Sequence, residues 1–150
     1  MAYKYFASGY LVKEGKALLV HHKKFDKWTP PGGHMEEDET PDQTLIREWK
    51  EELALDIEVL PAYENAFRGD ANSTPIPMPF HIDLEREGFD IPRIGFFFYV
   101  KLKNNNQIID VLKSELHDAQ WFSKEDVLKI STFDQTRALL EYAINHYPKI

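Results

Sequence analysis

The 150-residue sequence contains no cysteine, which excludes disulfides, thiolate metal sites and cysteine nucleophiles at once. Long apolar runs are missing too. The longest is IGFFFYV at residues 94–100, far short of the roughly 18 residues a membrane helix needs. Basic tracts are confined to Lys23-Lys24, and the formal net charge is −7. Such a surface repels polyanions, so neither nucleic acid nor membrane is an expected partner. The opening MAYKYFASGYLVKEG has no basic stretch leading into an apolar core, so no secretory signal is expected and the cytoplasm is the expected location. No repeat, low-complexity tract or linker interrupts the chain, which predicts one domain over residues 1–150.

What is present is an ordinary globular balance, 43% hydrophobic and 29% charged. YFASGYLV (5–12) and ALLVHH (17–22) read as a hairpin around the KEGK break. Residues 25–39 read as irregular, because Pro30-Pro31 run straight into Gly32-Gly33. Thr40-Pro41-Asp42-Gln43 is a helix start, with Thr at the cap, Pro at the first helical position and Gln three residues on. That helix should reach about Ala54. A strand at 56–62 follows, then an extended stretch at 69–80 holding Pro75, Pro77 and Pro79, then a strand at 94–103. Ser123 should cap a helix through Ile130, and an amphipathic helix fits 133–146. Strands interleaved with three helices predict an α/β fold of the α+β kind, with helices packed on the faces of a mixed sheet.

The first helix carries the chemistry. Between residues 32 and 55 stand eight acids: Glu36, Glu37, Asp38, Glu39, Asp42, Glu48, Glu51 and Glu52. On a helical wheel Leu45, Ile46, Trp49 and Leu53 form the core stripe, and Glu48, Glu51 and Glu52 fill the neighbouring sector. Arg47 is placed to pair with Glu51 at i, i+4. Three like charges on one patch repel unless a cation sits among them, and hard divalent ions with oxygen ligands suit such a face. The same pattern also suits a water-facing acidic stripe softened by Arg47 and Lys50.

The stretch resembles the Nudix box, G-x5-E-x7-R-E-U-x-E-E-x-G-U, where U is a bulky aliphatic residue. Gly33, Glu39, Arg47, Glu48, Glu51, Glu52 and Leu55 stand at its spacing. Trp49 takes the first aliphatic place, and Ala54 stands where the family has glycine. A glycine there leaves the helix through a left-handed backbone that costs alanine about 1 kcal/mol. WTPPGG ahead of the box and QWFSKEDV late in the chain are similar to the family's flanks.

The resemblance implies a fold and a reaction. The fold is a Nudix-type α/β/α sandwich, a mixed sheet between helices. The reaction is Mg²⁺-dependent (or Mn²⁺-dependent) hydrolysis of a nucleoside diphosphate linked to another group. Glu48, Glu51 and Glu52 are then the metal ligands, Glu39 an additional or supporting contact, and the Gly32 carbonyl a further ligand. Arg47 orients the carboxylates, and Gly33 lets the backbone pass close to phosphate. The general base is a box glutamate or a later one, of which Glu115 is the best placed. His34, Arg68, His81 and Arg93 are candidate substrate contacts, against the plainer reading of surface polar groups. The compact length ranks (d)NTPs and modified (d)NTPs first, cleaved to monophosphate and pyrophosphate. ADP-ribose, dinucleotides and nucleotide sugars are alternative substrates. A nucleotide-sensing binding module is the rival outside enzymes, and the intact acids speak against it. The sequence carries no sign of oligomeric state, and the resemblance admits a homodimer.

Overall fold

A computed structural model describes residues 2–86 and 88–149. The elements run β1 (Lys4–Tyr10), β2 (Val12–Lys13), β3 (Lys16–His22), β4 (Lys27–Thr29), β5 (Gly32–His34) and α1 (Pro41–Leu53). Then come β6 (Ile57–Leu60), β7 (His81–Glu85), β8 (Arg93–Leu102), β9 (Leu116–Phe122), a 3-10 turn at Asp126–Lys129 and α2 (Asp134–His146).

β8 is the axis of the larger sheet. Along one edge it pairs in parallel with β1, and along the other it pairs antiparallel with β7 and β6 laid end to end. β5 closes the far side of β1. The smaller sheet is built on β3, with β2 and β4 on one edge and β9 on the other. The expected hairpin of 5–12 with 17–22 is therefore corrected: the chain changes sheet near Leu11, and only β2 turns back on β3. The tight turn leaves Glu14 and Gly15 with φ of 52° and 74°.

Alternation along β1 and β8 sorts side chains onto two faces. Ala7, Phe98 and Val100 face α1, where Leu45, Trp49 and Leu53 complete one core. Phe6, Tyr10, Phe97 and Tyr99 join Leu140 and Ala143 of α2 in the other. Helix, sheet and helix thus form the expected α/β/α layers. Ile46, expected in the core stripe, is 40% exposed; the strands that α1 covers reach Leu45, Trp49 and Leu53 but stop short of its sector.

Trp49 in place of an aliphatic residue is accommodated specifically. Its ring is fully buried, its Nε1 donates to the Pro31 carbonyl at 3.0 Å, and Gly9 opposite leaves the room it needs. Ala54 does adopt the left-handed conformation, φ 58° and ψ 32°, and its N–H still closes onto Lys50 O at 3.0 Å. The next carbonyls of α1 are taken by a distant loop: Leu112 N–H donates to Glu52 O and Asp110 N–H to Leu53 O. That contact brings the segment holding Glu115 beside the end of the box.

Two further expectations change. Residues 25–39 hold two short strands, β4 and β5, because β3 and β1 offer open edges to pair with. The helix expected from Ser123 is one 3-10 turn, held by Ser123 Oγ accepting from Asp126 N–H at 3.0 Å. It stops at Ile130, which turns extended as Ser131 and Thr132 bond to the Trp28 backbone.

Candidate active site

Arg47 is the hub of the box. Its Nε and Nη2 donate to the two oxygens of Glu39 at 2.6 and 2.9 Å, the planar fork on fork that guanidinium and carboxylate favour. Nη1 donates to Glu48 at 2.9 Å and to Glu51 at 3.3 Å, and Nη2 reaches the His34 carbonyl at 3.1 Å. One side chain thus ties β5, the following loop and the helix together. Glu39 also accepts from Glu36 N–H at 3.0 Å and from the Thr44 hydroxyl at 2.8 Å. Arg47's hydrogen bonds, ahead of the other contacts, hold the Glu39 carboxyl down to about 2.

Glu52 is its opposite. Only 3% exposed, it keeps Oε2 buried with no hydrogen-bond partner. Burial raises its carboxyl to about 9, helped by a hydrogen bond to Glu48 and by the charges of Glu48, Glu115 and Glu51. An orphaned carboxylate oxygen among other carboxylates fits a hard cation. Among the described residues, however, no three acidic or imidazole side chains converge as a finished cage. Arg47 holds Glu48 and Glu51, and Glu52 faces inward beside them. The donor set therefore matches a divalent ion, with Glu52 and Glu48 nearest to hand.

Gly33 is packed closely against the box. A Cβ there would lie 2.4 Å from Glu48 Cδ, so the missing side chain makes room for a box carboxylate. Gly32 lies as tightly against the Ala7 carbonyl, 2.0 Å from where its Cβ would stand. Glu115 is exposed, its backbone carbonyl accepting from Lys23 N–H at 3.0 Å, and with His22 and Lys24 it lines a recess.

β5 also forms one wall of a cavity of about 790 Å³, lined among others by His34, Phe6, Lys24, Lys27 and Arg93, a size suited to a small-molecule ligand. His34 joins it as expected, its imidazole pushed down by burial and then by Arg93, Lys4 and Lys24. Arg93 joins it with Nε and Nη2 both donating to Glu85 at 3.2 Å and its guanidinium 4.1 Å over the Phe6 ring. Arg68 does not. Its side chain is 94% exposed, 3.9 Å from Glu64, and outside the cavity. His81 is also outside the lining, bonded to Asp83 at 3.0 Å.

Lys27, Phe6 and Gln135 line the cavity without any mark in the sequence that points to a site. The Lys23-Lys24 pair was visible as charge. Nothing local marks Gln135, which reaches the cavity because α2 packs on that face.

The NUDIX domain family model matches residues 7–142. A bis(5'-nucleosyl)-tetraphosphatase [asymmetrical] of Caenorhabditis elegans is 29% identical over 113 residues, 75% of this chain and 70% of that protein. An 8-oxo-dGTP diphosphatase of Proteus vulgaris is 50% identical over 30 residues, 20% of this chain and 27% of that protein. Among solved structures, a NUDIX-family hydrolase from Clostridium perfringens superposes with a TM-score of 0.77 at 25% identity, covering 97% of this chain and 98% of that one.

Proposed function

The chain belongs to the NUDIX family and is a hydrolase of phosphorus-containing anhydrides, and on that premise we propose that it cleaves dinucleoside polyphosphates with the help of Mg²⁺. The observation that carries the reaction is the buried, unpartnered Glu52 carboxylate oxygen beside Glu48. The choice of substrate is supported by the likeness to a bis(5'-nucleosyl)-tetraphosphatase along three quarters of the chain. Lys24 and Lys27 at the cavity supply positive charge for a long phosphate chain. The sequence-based ranking of (d)NTPs stays as the second reading, favoured by the shorter likeness to an 8-oxo-dGTP diphosphatase.

When bound, a divalent cation supplies charge to the phosphate oxygens and makes water a better nucleophile. Glu52 and Glu48 would hold it, with Glu51 and the Gly32 carbonyl as further donors. Arg47 fixes the positions of these carboxylates, and Glu39 fixes Arg47. Glu115, exposed and close enough to act on the charge of Glu52, takes the proton from the attacking water. Water adds to one phosphorus, and the bridging oxygen leaves with the remaining phosphates. A dinucleoside tetraphosphate then yields a nucleoside monophosphate and a triphosphate. His34, on the cavity wall, is the candidate phosphate contact in this reading.

This reading makes the 150 residues one catalytic domain of the cytoplasm, acting on a small nucleotide and not on nucleic acid, and it admits a homodimer. Among the described residues no helix is long and apolar enough to cross a membrane.

The test is a panel of dinucleoside polyphosphates, dNTPs, oxidised dNTPs, ADP-ribose and nucleotide sugars, with and without Mg²⁺. The proposal expects the fastest metal-dependent turnover on the dinucleoside polyphosphates. A preference for dNTPs moves the assignment to the second reading. No turnover of any member favours a binding module.

A further inference from the structure

Away from the carboxylates, the cavity has a wall made by β7, β8 and α2. Gln135 of α2 lines it, and its Nε2 donates to Asp83 at 2.5 Å and to Glu85 at 2.9 Å. A primary amide offers two donors on nitrogen and acceptors only on oxygen. With two carboxylates at its nitrogen, this amide cannot be reversed without setting oxygen against two anions. Both carboxylates are themselves held in place. Asp83 bonds His81 Nε2 at 3.0 Å, and Glu85 takes the two bonds from Arg93. Gln135 is half-buried, and among the described residues no protein group donates to its Oε1. Beside it, Phe6 meets Phe97 edge to face with ring centroids 5.7 Å apart and carries the Arg93 guanidinium on its face. The wall is thus mixed, with buried Phe6 and Phe97, the Arg93–Glu85 pair, and the Gln135 carbonyl oxygen left without a protein donor among the described residues.

We propose that Gln135 selects the nucleobase: its carbonyl oxygen accepts from an exocyclic amino group, so that the cavity takes adenine or cytosine in preference to hypoxanthine or uracil. The proposal deepens the nucleotide-hydrolase reading and rests on it. An oxo group at the same ring position would face an acceptor backed by two carboxylates. Neither oxygen would then have a donor, and leaving such groups unpaired on burial separates the bases by about tenfold in affinity.

Calorimetric titration of the metal-free protein with AMP, IMP, CMP and UMP tests this without any turnover. Wild type should bind AMP about tenfold more tightly than IMP, and CMP about tenfold more tightly than UMP. Gln135→Met keeps the length and removes the acceptor, and should bring each pair close to parity. Asp83→Asn leaves Gln135 in place but puts a donor-bearing amide against it, freeing the Gln135 amide to turn. It too should erode the preference, and it carries the test alone if Gln135→Met fails to fold. Equal binding of AMP and IMP by wild type overturns the proposal. So does an unchanged ratio in the variants, or no AMP binding at about 1 mM. Turnover of dinucleoside polyphosphates without base preference sinks the selector alone. Base preference with no turnover on the wider panel sinks the reaction alone.

Discussion

Glu39 and Glu52 are the same residue type in one motif, and the fold drives them in opposite directions. Glu39 sits in a strap of donors, with Arg47, the Thr44 hydroxyl and a backbone N–H around it, and its carboxyl falls to about 2. Glu52 stands in the last turn of α1, buried and short of donors, and its carboxyl rises to about 9. The first is charged because its surroundings are complete. The second resists charge because they are not, and a divalent cation is the kind of partner that would complete them. The box is therefore two devices, a rigid clip and an unsatisfied ledge, joined through Arg47.

The largest effect should come from removing the ledge. Glu52→Gln is expected to lower metal-dependent turnover by about a thousandfold, yet to leave the metal-free fold intact or strengthen it at alkaline pH. Steady-state kinetics and thermal unfolding of the same preparation measure both halves. Near-normal turnover in this variant would break the comparison.

Removing the clip should do the reverse first. Arg47→Ala leaves Glu39 and Glu48 without their common partner and should cost about 3 kcal/mol of stability, read by denaturant unfolding. Arg47→Lys should recover only part of that loss, since an ammonium cannot reproduce the fork on Glu39.

pH sharpens the contrast. Glu39 is depressed, so its stabilising contribution is complete above 4.5 and disappears as pH falls through about 2. Glu52 is raised, so its contribution is complete below 4.5 and drains away as pH climbs through about 9. The metal-free protein should thus lose melting temperature between pH 5 and 9 on account of Glu52, at a range of pH set by that residue. Mg²⁺ should restore it, and Glu52→Gln should flatten that limb. A limb unchanged in the variant would assign it to other groups.

The smallest effect lies at the helix end. Ala54→Gly relieves the left-handed alanine and should stabilise the fold by about 1 kcal/mol without changing turnover.

α1 was legible because every signal for it is local: Thr40, Pro41 and Gln43 at its start, the Leu45-Trp49-Leu53 stripe, and the acids beside it. β8 was legible as an apolar run. β4 and β5 were hidden, since KWT and GGH carry no pattern among prolines and glycines and are strands only where β3 and β1 receive them. β7 and β9 went unread for the same reason. The pairing of β1 with β8 spans most of the chain and leaves no trace at either end. In the site, the box residues were legible by spacing, but the division of labour between Glu39 and Glu52 was not. Arg68 looked as eligible as Arg93 in sequence. Only Arg93 is drawn into the cavity, by Phe6 and Glu85.

What the sequence by itself determined is the type and spacing of the box residues, the helix that carries them and the class of chemistry they suit. Those depend on neighbours three, four and eight residues apart, which a helix start and a short loop bring together unaided. Tertiary structure alone decided which carboxylate is buried, which glycine faces a carboxylate and which glutamine faces a cavity. Burial and the supply of donors come from segments far along the chain, such as Leu112 over the end of α1 and Asp83 against α2. A carboxyl's charge follows those distant neighbours rather than its own position in the motif.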